Sequence, residues 1–172
     1  VRRRPGVMLP PVDFDAEEPV LGAEKLADLP FKIRFDFEAC LWCGRCHEVC
    51  PARAVGAPLS PRDVILSLRE FANDALQSGS VPAEAELDMH GKSPVQISEE
   101  TLWSCRACMA CVEICPVAVE HIPIIVQMRR HLVVMKGEFP PELQKPFEGM
   151  EVNGNPWNLS RQDRTTWAEG LN

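Results

Sequence analysis

All eight cysteines of this 172-residue chain fall into two short runs of the same design. The first run spans Cys40–Pro51 and the second spans Cys105–Pro116, 65 residues later, and both read C-x2-C-x2-C-x3-C-P. Thiolates are the ligands that soft transition metals prefer. The chain therefore contains two copies of one metal-binding plan.

Three kinds of site compete for these cysteines. Structural zinc usually takes two ligand pairs separated by about a dozen or more residues, whereas here three ligands fall within seven residues. Disulfides are disfavoured because the C-x2-C-x2-C part is too cramped for several bridges of good geometry. The same run binds [4Fe–4S] clusters in bacterial ferredoxins that hold two of them. We therefore predict two [4Fe–4S] clusters.

The ligand sets follow from a rule for two-cluster proteins of this type, in which the cysteine before proline binds the other cluster. We therefore assign to cluster 1 the residues Cys40, Cys43, Cys46 and Cys115. We assign to cluster 2 the residues Cys105, Cys108, Cys111 and Cys50. The sequential alternative, in which each run holds its own cluster, stays open.

Charge and hydropathy exclude several kinds of partner and site. The formal net charge is −7 and the only basic run is Arg2–Arg4, so the chain offers no basic face for nucleic acid. The longest apolar candidate, residues 122–128, contains a proline and falls short of the ~20 residues that span a bilayer. No glycine-rich phosphate loop or nucleophile motif is present. We therefore expect no substrate site on this chain itself.

Helical patterns dominate the sequence between the two runs. Ser60 can cap a helix that starts at the following proline, and apolar residues then recur at helical spacing until Gly79 ends the pattern. Residues 80–94 are polar and rich in turn formers, which predicts a loop. Ser98 opens a further helix that brings Trp103 to the second run.

Helical patterns also follow the second run. A helix is predicted through residues 122–135 and ends at Gly137. A short helix starts near Glu142, and Ser160 caps a final helix that stops at Gly170. Almost no alternation of period two is visible, so the fold class is mainly α.

Three regions are expected along the chain. Residues 1–36 form an extended N-terminal arm, with a short helical turn within 22–29, because prolines are frequent and periodicity is weak. Residues 37–136 form the dicluster domain, and residues 137–172 form a helical tail that leads toward a further domain or partner. The start at Val1, followed by the arginine run, favours a piece cut from a longer chain.

Several residues near the cysteines could have a functional or a structural role. Gly44 and Ala107 would keep the ligand loops small where backbone approaches the cluster. Trp42 is expected to pack against the protein rather than to carry electrons, and Trp103 likewise. His47 and His121 are expected to be solvated or hydrogen-bonded, since cysteines already fill every ligand position. The acidic residues are expected on solvated faces.

From about Phe37 to its end, the chain resembles the dicluster domain of the heterodisulfide reductase C/D family. It is especially similar to the related membrane-associated iron–sulfur oxidoreductases, which include proteins that pass electrons from electron-transfer flavoprotein to quinone. The segments that carry the resemblance are Cys40–Pro51, Pro58–Leu66, Trp103–Val117, Arg129–Leu132 and Asn153–Trp157. The cysteine runs alone are common to many ferredoxin-like modules, and the other segments narrow the choice.

The resemblance implies an α-helical ferredoxin fold and an electron-transfer module with two [4Fe–4S] clusters. Such a module would link a flavin-type donor to a CCG-domain, quinone or membrane acceptor in an oxidoreductase complex. Its implied partners are a CCG-domain subunit or domain, a flavoprotein and a quinone-reactive membrane subunit. Reduced thiolates and oxygen-labile clusters favour the cytoplasm, at the inner face of the membrane.

Two other functions compete with an electron-transfer module. A structural or regulatory iron–sulfur protein would use its clusters to control a binding surface, although sensors often expose a single labile cluster. A stand-alone disulfide reductase would need a further dithiol or an open iron site, and all eight cysteines are already assigned. Each oxidised cluster with its four thiolates carries about −2, so the loaded chain, near −11, favours a partner with a basic docking patch.

Overall fold

The computed structural model describes residues 9, 12–17, 19, 21–77, 86–87 and 97–170. These ranges are mainly helical and contain no strand, and one isolated antiparallel bridge joins Lys25 to Glu86. The predicted mainly α fold is therefore confirmed. Contacts divide the chain into two units, Val1–Lys136 and Gly137–Asn172, and each is described by itself. The roles assigned above to residues 1–36, 37–136 and 137–172 stay predictions.

The helices of the described ranges are mostly short, as expected of a chain that bends around compact sites. The α-helices of the first unit are α1 (Phe31–Ala39), α2 (Arg45–Glu48), α3 (Pro51–Ala54), α4 (Pro61–Gln77), α5 (Glu99–Trp103), α6 (Ala110–Ile114) and α7 (His121–His131). A 3-10 turn at Leu26–Asp28 precedes α1, and a π-helical turn at Leu132–Lys136 continues α7.

Helices α4 and α5 begin where their caps predict. The Ser60 hydroxyl accepts a hydrogen bond from the Asp63 amide at 3.2 Å, and Pro61 occupies the first helical position. The Ser98 hydroxyl likewise accepts from the Thr101 amide at 3.2 Å. Gly79 and most of the predicted loop at 80–94 lie outside the described residues.

The segment before α1 contributes to the core, which the expectation of an extended arm did not include. Ala23, Leu26 and Leu29 are buried with the side chains of α4 and α7, and the Ala23 amide donates to the Gln127 carbonyl at 3.0 Å. Gly22 makes this approach feasible, because a Cβ there would lie 2.6 Å from the Gln127 carbonyl oxygen.

One hydrophobic cluster fills the first unit and lies beneath the cysteine runs. Its large, fully buried members include the side chains of Phe37, Ile65, Leu68, Leu102, Ile124, Ile125, Met128 and Leu132. Cys50 belongs to this cluster, and Cys40, Cys105 and Cys115 pack against it. The ligand loops are therefore anchored on a packed core.

The second unit contains one α-helix in its described part, α8 (Gln144–Asn153), between 3-10 turns at Pro141–Leu143 and Arg161–Ala168. Both predicted helices of the tail are thus present, the last one as a 3-10 helix. The α8 helix ends at Gly154, whose φ of 70° suits glycine. The Asn155 side-chain amide then donates to the Leu159 carbonyl at 2.8 Å, which closes the turn.

Candidate metal centres

The two cysteine runs adopt the same backbone course. Each run crosses an extended stretch and then enters a short helix, α2 in the first run and α6 in the second. Equivalent positions are left-handed in both runs: Trp42 and Ala107 have φ of 57° and 51°, and Gly44 and Met109 have φ of 77° and 65°. The left-handed turns at Gly44 and Ala107 lie where small residues were predicted, although Trp42 and Met109 show that the repeat does not require one.

The first cavity takes its thiols from both runs. It is lined by Cys40, Cys43 and Cys46 of the first run and by Cys115 of the second, and it is partly open to solvent. The charge on Cys40 and on Cys115 acts on the Cys46 thiol, so these sulfurs lie near one another. Three cysteines from one run and the last cysteine of the other therefore meet here.

The second cavity has the reciprocal composition. It is lined by Cys105, Cys108 and Cys111 of the second run and by Cys50 of the first. The charge on Cys50 acts on the Cys105 thiol. The structure thus gathers the eight cysteines in the two groups that the sequence predicts for crossed ligation.

Helices α4 and α7 both begin beside the two cavities. In α4, Pro61 lines the second cavity and Arg62 lines the first. In α7, His121 lines the first cavity, whereas Ile122 lines the second. The first turn of a helix has a partial positive charge. Both helices therefore offer favourable electrostatics to anionic groups in either cavity.

Burial and backbone donors act in opposite directions on the thiols. Burial, with a smaller effect of Cys40 and Cys115, raises the pKa of Cys46 to about 11. Burial likewise raises the pKa of Cys111 to about 12. The Val119 amide donates to the Cys115 sulfur at 3.3 Å, and the Ala107 amide donates to the Cys105 sulfur at 3.4 Å. Thiols buried in this way need a cation to become thiolates, because metal binding displaces their protons.

Arg129 of α7 holds the backbone that leads into the second run. Its guanidinium donates to the Leu102 carbonyl at 2.9 Å and to the Cys105 carbonyl at 2.6 Å, and it lies over the Trp103 ring at 4.9 Å. Burial lowers the pKa of Arg129. Trp103 is packed against the protein, as expected. Its contact with the Arg129 guanidinium was not predicted.

Two expectations for single residues are wrong, those for Trp42 and Asp36, and the expectation for His121 is met only in part. Trp42 does not pack, since 62% of its surface is exposed beside the exposed Cys43. His121 is not solvated, because it is 2% exposed; it has a hydrogen bond with the Val119 backbone, but its Nδ1 has no partner among the described atoms. Asp36 is not on a solvated face: it is 2% exposed and accepts from Lys32 Nζ at 2.6 Å and from the Glu120 amide at 3.0 Å.

The expectation for His47 was a solvated or hydrogen-bonded side chain, and the structure gives the second. Its Nδ1 lies 2.7 Å from the Ser60 hydroxyl, so the first run is tied to the cap of α4. The position of these histidines could not be read from the motif, because it depends on how the two helices dock.

Comparison with known proteins gives the family. Residues 32–116 match the family described as "4Fe-4S dicluster domain". The chain carries a 4Fe-4S dicluster domain. This dicluster domain binds two [4Fe–4S] clusters, and the donor set fits them, because each cavity presents four thiols. No set of three His, Cys, Asp or Glu side chains in the described ranges is arranged to hold a single metal ion.

The whole chain is similar to several longer proteins. It is 35% identical over 173 residues to the "Probable membrane-anchored ferredoxin" of Chromohalobacter salexigens, covering 93% of this chain and 26% of that protein. It is 34% identical over 172 residues to the "EtfAB:quinone oxidoreductase" of Syntrophomonas wolfei, covering 89% and 24%. A third relative, 30% identical over 140 residues and covering 77% and 33%, belongs to the "Dihydromethanophenazine:CoB--CoM heterodisulfide reductase" of Methanosarcina barkeri.

The chain spans about a quarter of the length of the first two relatives. The resemblance to the heterodisulfide reductase C/D proteins is confirmed, and an electron-transfer role is supported by these relatives. No solved structure matches the chain. None of the helices in the described part has the length and apolar character that crossing a membrane requires.

Proposed function

We propose that this chain is the electron-transfer module of an oxidoreductase and relays electrons one at a time between a flavin-type donor and a CCG-domain, quinone or membrane acceptor. The observation that supports it most strongly is the pair of cavities, each lined by four thiols and bordered by the same two helices. When bound, the two clusters supply reversible one-electron storage.

The proposed ligands of cluster 1 are Cys40, Cys43, Cys46 and Cys115. The proposed ligands of cluster 2 are Cys105, Cys108, Cys111 and Cys50. The thiol lining of the two cavities supports this crossed arrangement over the sequential one. In crossed ligation each run supplies three thiols to one site and one thiol to the other. Both sites therefore depend on the same folded unit.

The side chains around the thiols affect the access of water to the two sites and the charge beside them. Ile122 and Ile125 line the second cavity and keep water away from the sulfurs. Arg62 lines the first cavity, and its pKa is raised by its bond to Asp63 and also by the charges of Cys46 and Cys40. A cation there favours the more negative, reduced state of the site.

The partners are proposed from the relatives and from the charge. An EtfAB:quinone oxidoreductase and a heterodisulfide reductase protein among the relatives support a flavoprotein donor and a CCG-domain or quinone-reactive acceptor. A membrane-anchored ferredoxin among them supports a place at the inner, cytoplasmic face of the membrane. The acidic chain, at −7 before the clusters are counted, favours a basic docking patch on the partner.

The decisive experiment is anaerobic purification of the chain, with iron and sulfide analysis and EPR during redox titration. We expect about eight irons and eight sulfides per chain and two reversible one-electron reductions, with signals that interact magnetically when both sites are reduced. Zinc in place of iron would refute the metal assignment. Clusters that break down instead of cycling reversibly would favour the regulatory alternative over the relay.

The ligand sets are tested separately with four matched Cys→Ser variants. Cys43→Ser marks the signal of the first site and Cys108→Ser marks that of the second, since both residues are exposed. We expect Cys50→Ser to alter the same signal as Cys108→Ser, and Cys115→Ser the same signal as Cys43→Ser. The reverse pairing would establish sequential ligation.

A further inference from the structure

His121 is a deeply buried imidazole that has no assigned role. It is the first residue of α7, is 2% exposed, and its Nδ1 has no hydrogen-bond partner among the described atoms. Leaving a buried polar group unpaired costs about 1–3 kcal/mol. Two other buried polar side chains of this unit are paired: Asp36 accepts two hydrogen bonds, and Thr101 donates to the Pro58 carbonyl.

The position of His121 indicates where its partner lies. The residue lines the first cavity together with Cys40, Cys43, Cys46 and Cys115. Whatever fills this cavity is surrounded by thiolate sulfur, which accepts hydrogen bonds from N–H groups.

The protonation state of His121 does not prevent such a bond. Burial lowers the pKa of His121, and a hydrogen bond with the Val119 backbone acts in the opposite direction. An imidazole can present an N–H at Nδ1 whether it is neutral or charged. The hydrogen bond therefore requires only that the ring carries a proton on Nδ1.

We infer that His121 donates a hydrogen bond from Nδ1 to a sulfur atom of the cluster in the first cavity and thereby raises the reduction potential of that cluster. A donor to sulfur stabilises the reduced state more than the oxidised state, because the reduced cluster carries one more negative charge. His121 is not an iron ligand, since four cysteines already line the cavity. It acts on the reduction potential through its hydrogen bond.

The effect is specific to one site. The neighbouring residue on α7, Ile122, lines the second cavity with Ile125 and Leu59, and no histidine lines that cavity among the described residues. The second site therefore lacks this donor. The hydrogen bond therefore raises the potential of the first cluster without acting on the second.

The inference rests on the proposed electron-transfer function but not on the identity of the fourth ligand. Cys40, Cys43 and Cys46 hold the first cluster in both the crossed and the sequential arrangement. A wrong assignment of Cys50 and Cys115 would therefore leave the expectation for His121 unchanged.

The test compares His121→Leu with His121→Asn in the full 172-residue chain. Leucine removes the donor at similar volume, whereas the asparagine amide keeps a donor near the position of Nδ1. We expect the reduction equilibrium of the first cluster to fall about tenfold in His121→Leu, which for one electron is about 59 mV. We expect the second cluster to be unchanged and His121→Asn to retain most of the wild-type potential.

The matched control is Ile124→Val, which changes a buried side chain of the same helix that lines neither cavity and leaves the donor in place. The potential of the first cluster should be unaffected in this variant. If the wild type binds about eight irons and cycles reversibly but His121→Leu leaves both potentials unchanged, the inference fails and the proposed function stands. Equal shifts of both clusters would also overturn it.

A second measurement uses the wild type and does not depend on a variant that folds. With histidine labelled by ¹⁵N, pulsed EPR of the reduced first cluster should detect a nitrogen coupling of the size found for a hydrogen-bonded, non-ligating imidazole, and an exchangeable proton coupling. The same experiment on His121→Asn identifies the signal by its loss. Absence of the histidine coupling in the wild type would refute the inference.

Discussion

The sulfurs of Cys46 and Cys111 belong to the same small buried cluster, although one comes from each run. Val112 and Ile122 complete this cluster, and the charge on Cys46 acts on Cys111. Both residues are the third cysteine of their run, and each lines a different cavity. The two sites are therefore adjacent across an apolar contact, and electrons need not cross water to move between them.

The first prediction concerns the close approach at Gly22. Gly22→Ala should lower the free energy of unfolding by about 2–4 kcal/mol, because a Cβ would meet the backbone of Gln127 and His131 in a conformation of positive φ. Denaturant unfolding measures this. Gly56→Ala is the control, since Gly56 also has positive φ but open space around it, and it should cost only about 1–2 kcal/mol. Equal losses in both variants would contradict the steric explanation.

The second prediction compares two carboxylates of α1. Asp36→Ala should cost about 1–3 kcal/mol of unfolding free energy, because the Glu120 amide and Lys32 lose their common acceptor. Glu38→Ala should cost less than about 1 kcal/mol, since its 3.2 Å ion pair with Arg69 is exposed. Thermal unfolding of both variants at one pH tests this prediction. A larger loss of stability in Glu38→Ala than in Asp36→Ala would contradict the structural role given to Asp36.

The third prediction concerns the guanidinium that holds the second run. Arg129→Lys should destabilise the second cluster more than the first, because an ammonium cannot donate to the Leu102 and Cys105 carbonyls together while it lies over Trp103. Iron loss from each site during oxygen exposure, followed by EPR, is the measurement. Arg130→Lys, a change of the next residue, should leave both rates at the wild-type value. Equal iron loss from the two sites of Arg129→Lys would count against this role.

The fourth prediction follows from charge. Because the loaded chain is strongly acidic, its association rate with a flavoprotein donor should fall by about tenfold or more between low and physiological salt. Stopped-flow reduction at several salt concentrations tests this. Reduction by a small neutral reductant is the control and should not change with salt. A rate independent of ionic strength would exclude a basic docking patch on the partner.

Local signals in the sequence predicted those elements whose ends are set by nearby residues. The α4 and α5 helices start at serine caps that bond to amides three residues later. The left-handed turn at Gly44 agrees with the expectation that a small residue opens the loop. The grouping of the thiols was predicted from the repeated run together with the rule that the cysteine before proline binds the other cluster.

Features that depend on how distant segments dock were not predictable. Helix α1 was missed because its pattern is mixed: Phe31 and Phe35 are exposed and stack at 6.3 Å, whereas Asp36 is buried. The carboxylate is tolerated only because Glu120, 84 residues later, supplies a backbone donor. The burial of His121 has the same origin, since it requires α7 to lie beside the first run. Nothing within a few residues of either position indicates such partners.

The shared first turns of α4 and α7 have a consequence for assembly. Each turn borders both cavities, with Pro61 and Ile122 on one side and Arg62 and His121 on the other. We therefore expect the loss of either cluster to destabilise both turns and, with them, the site that is still occupied. Cluster insertion should therefore be cooperative. Chains with no cluster or with both clusters should be more abundant than chains with one.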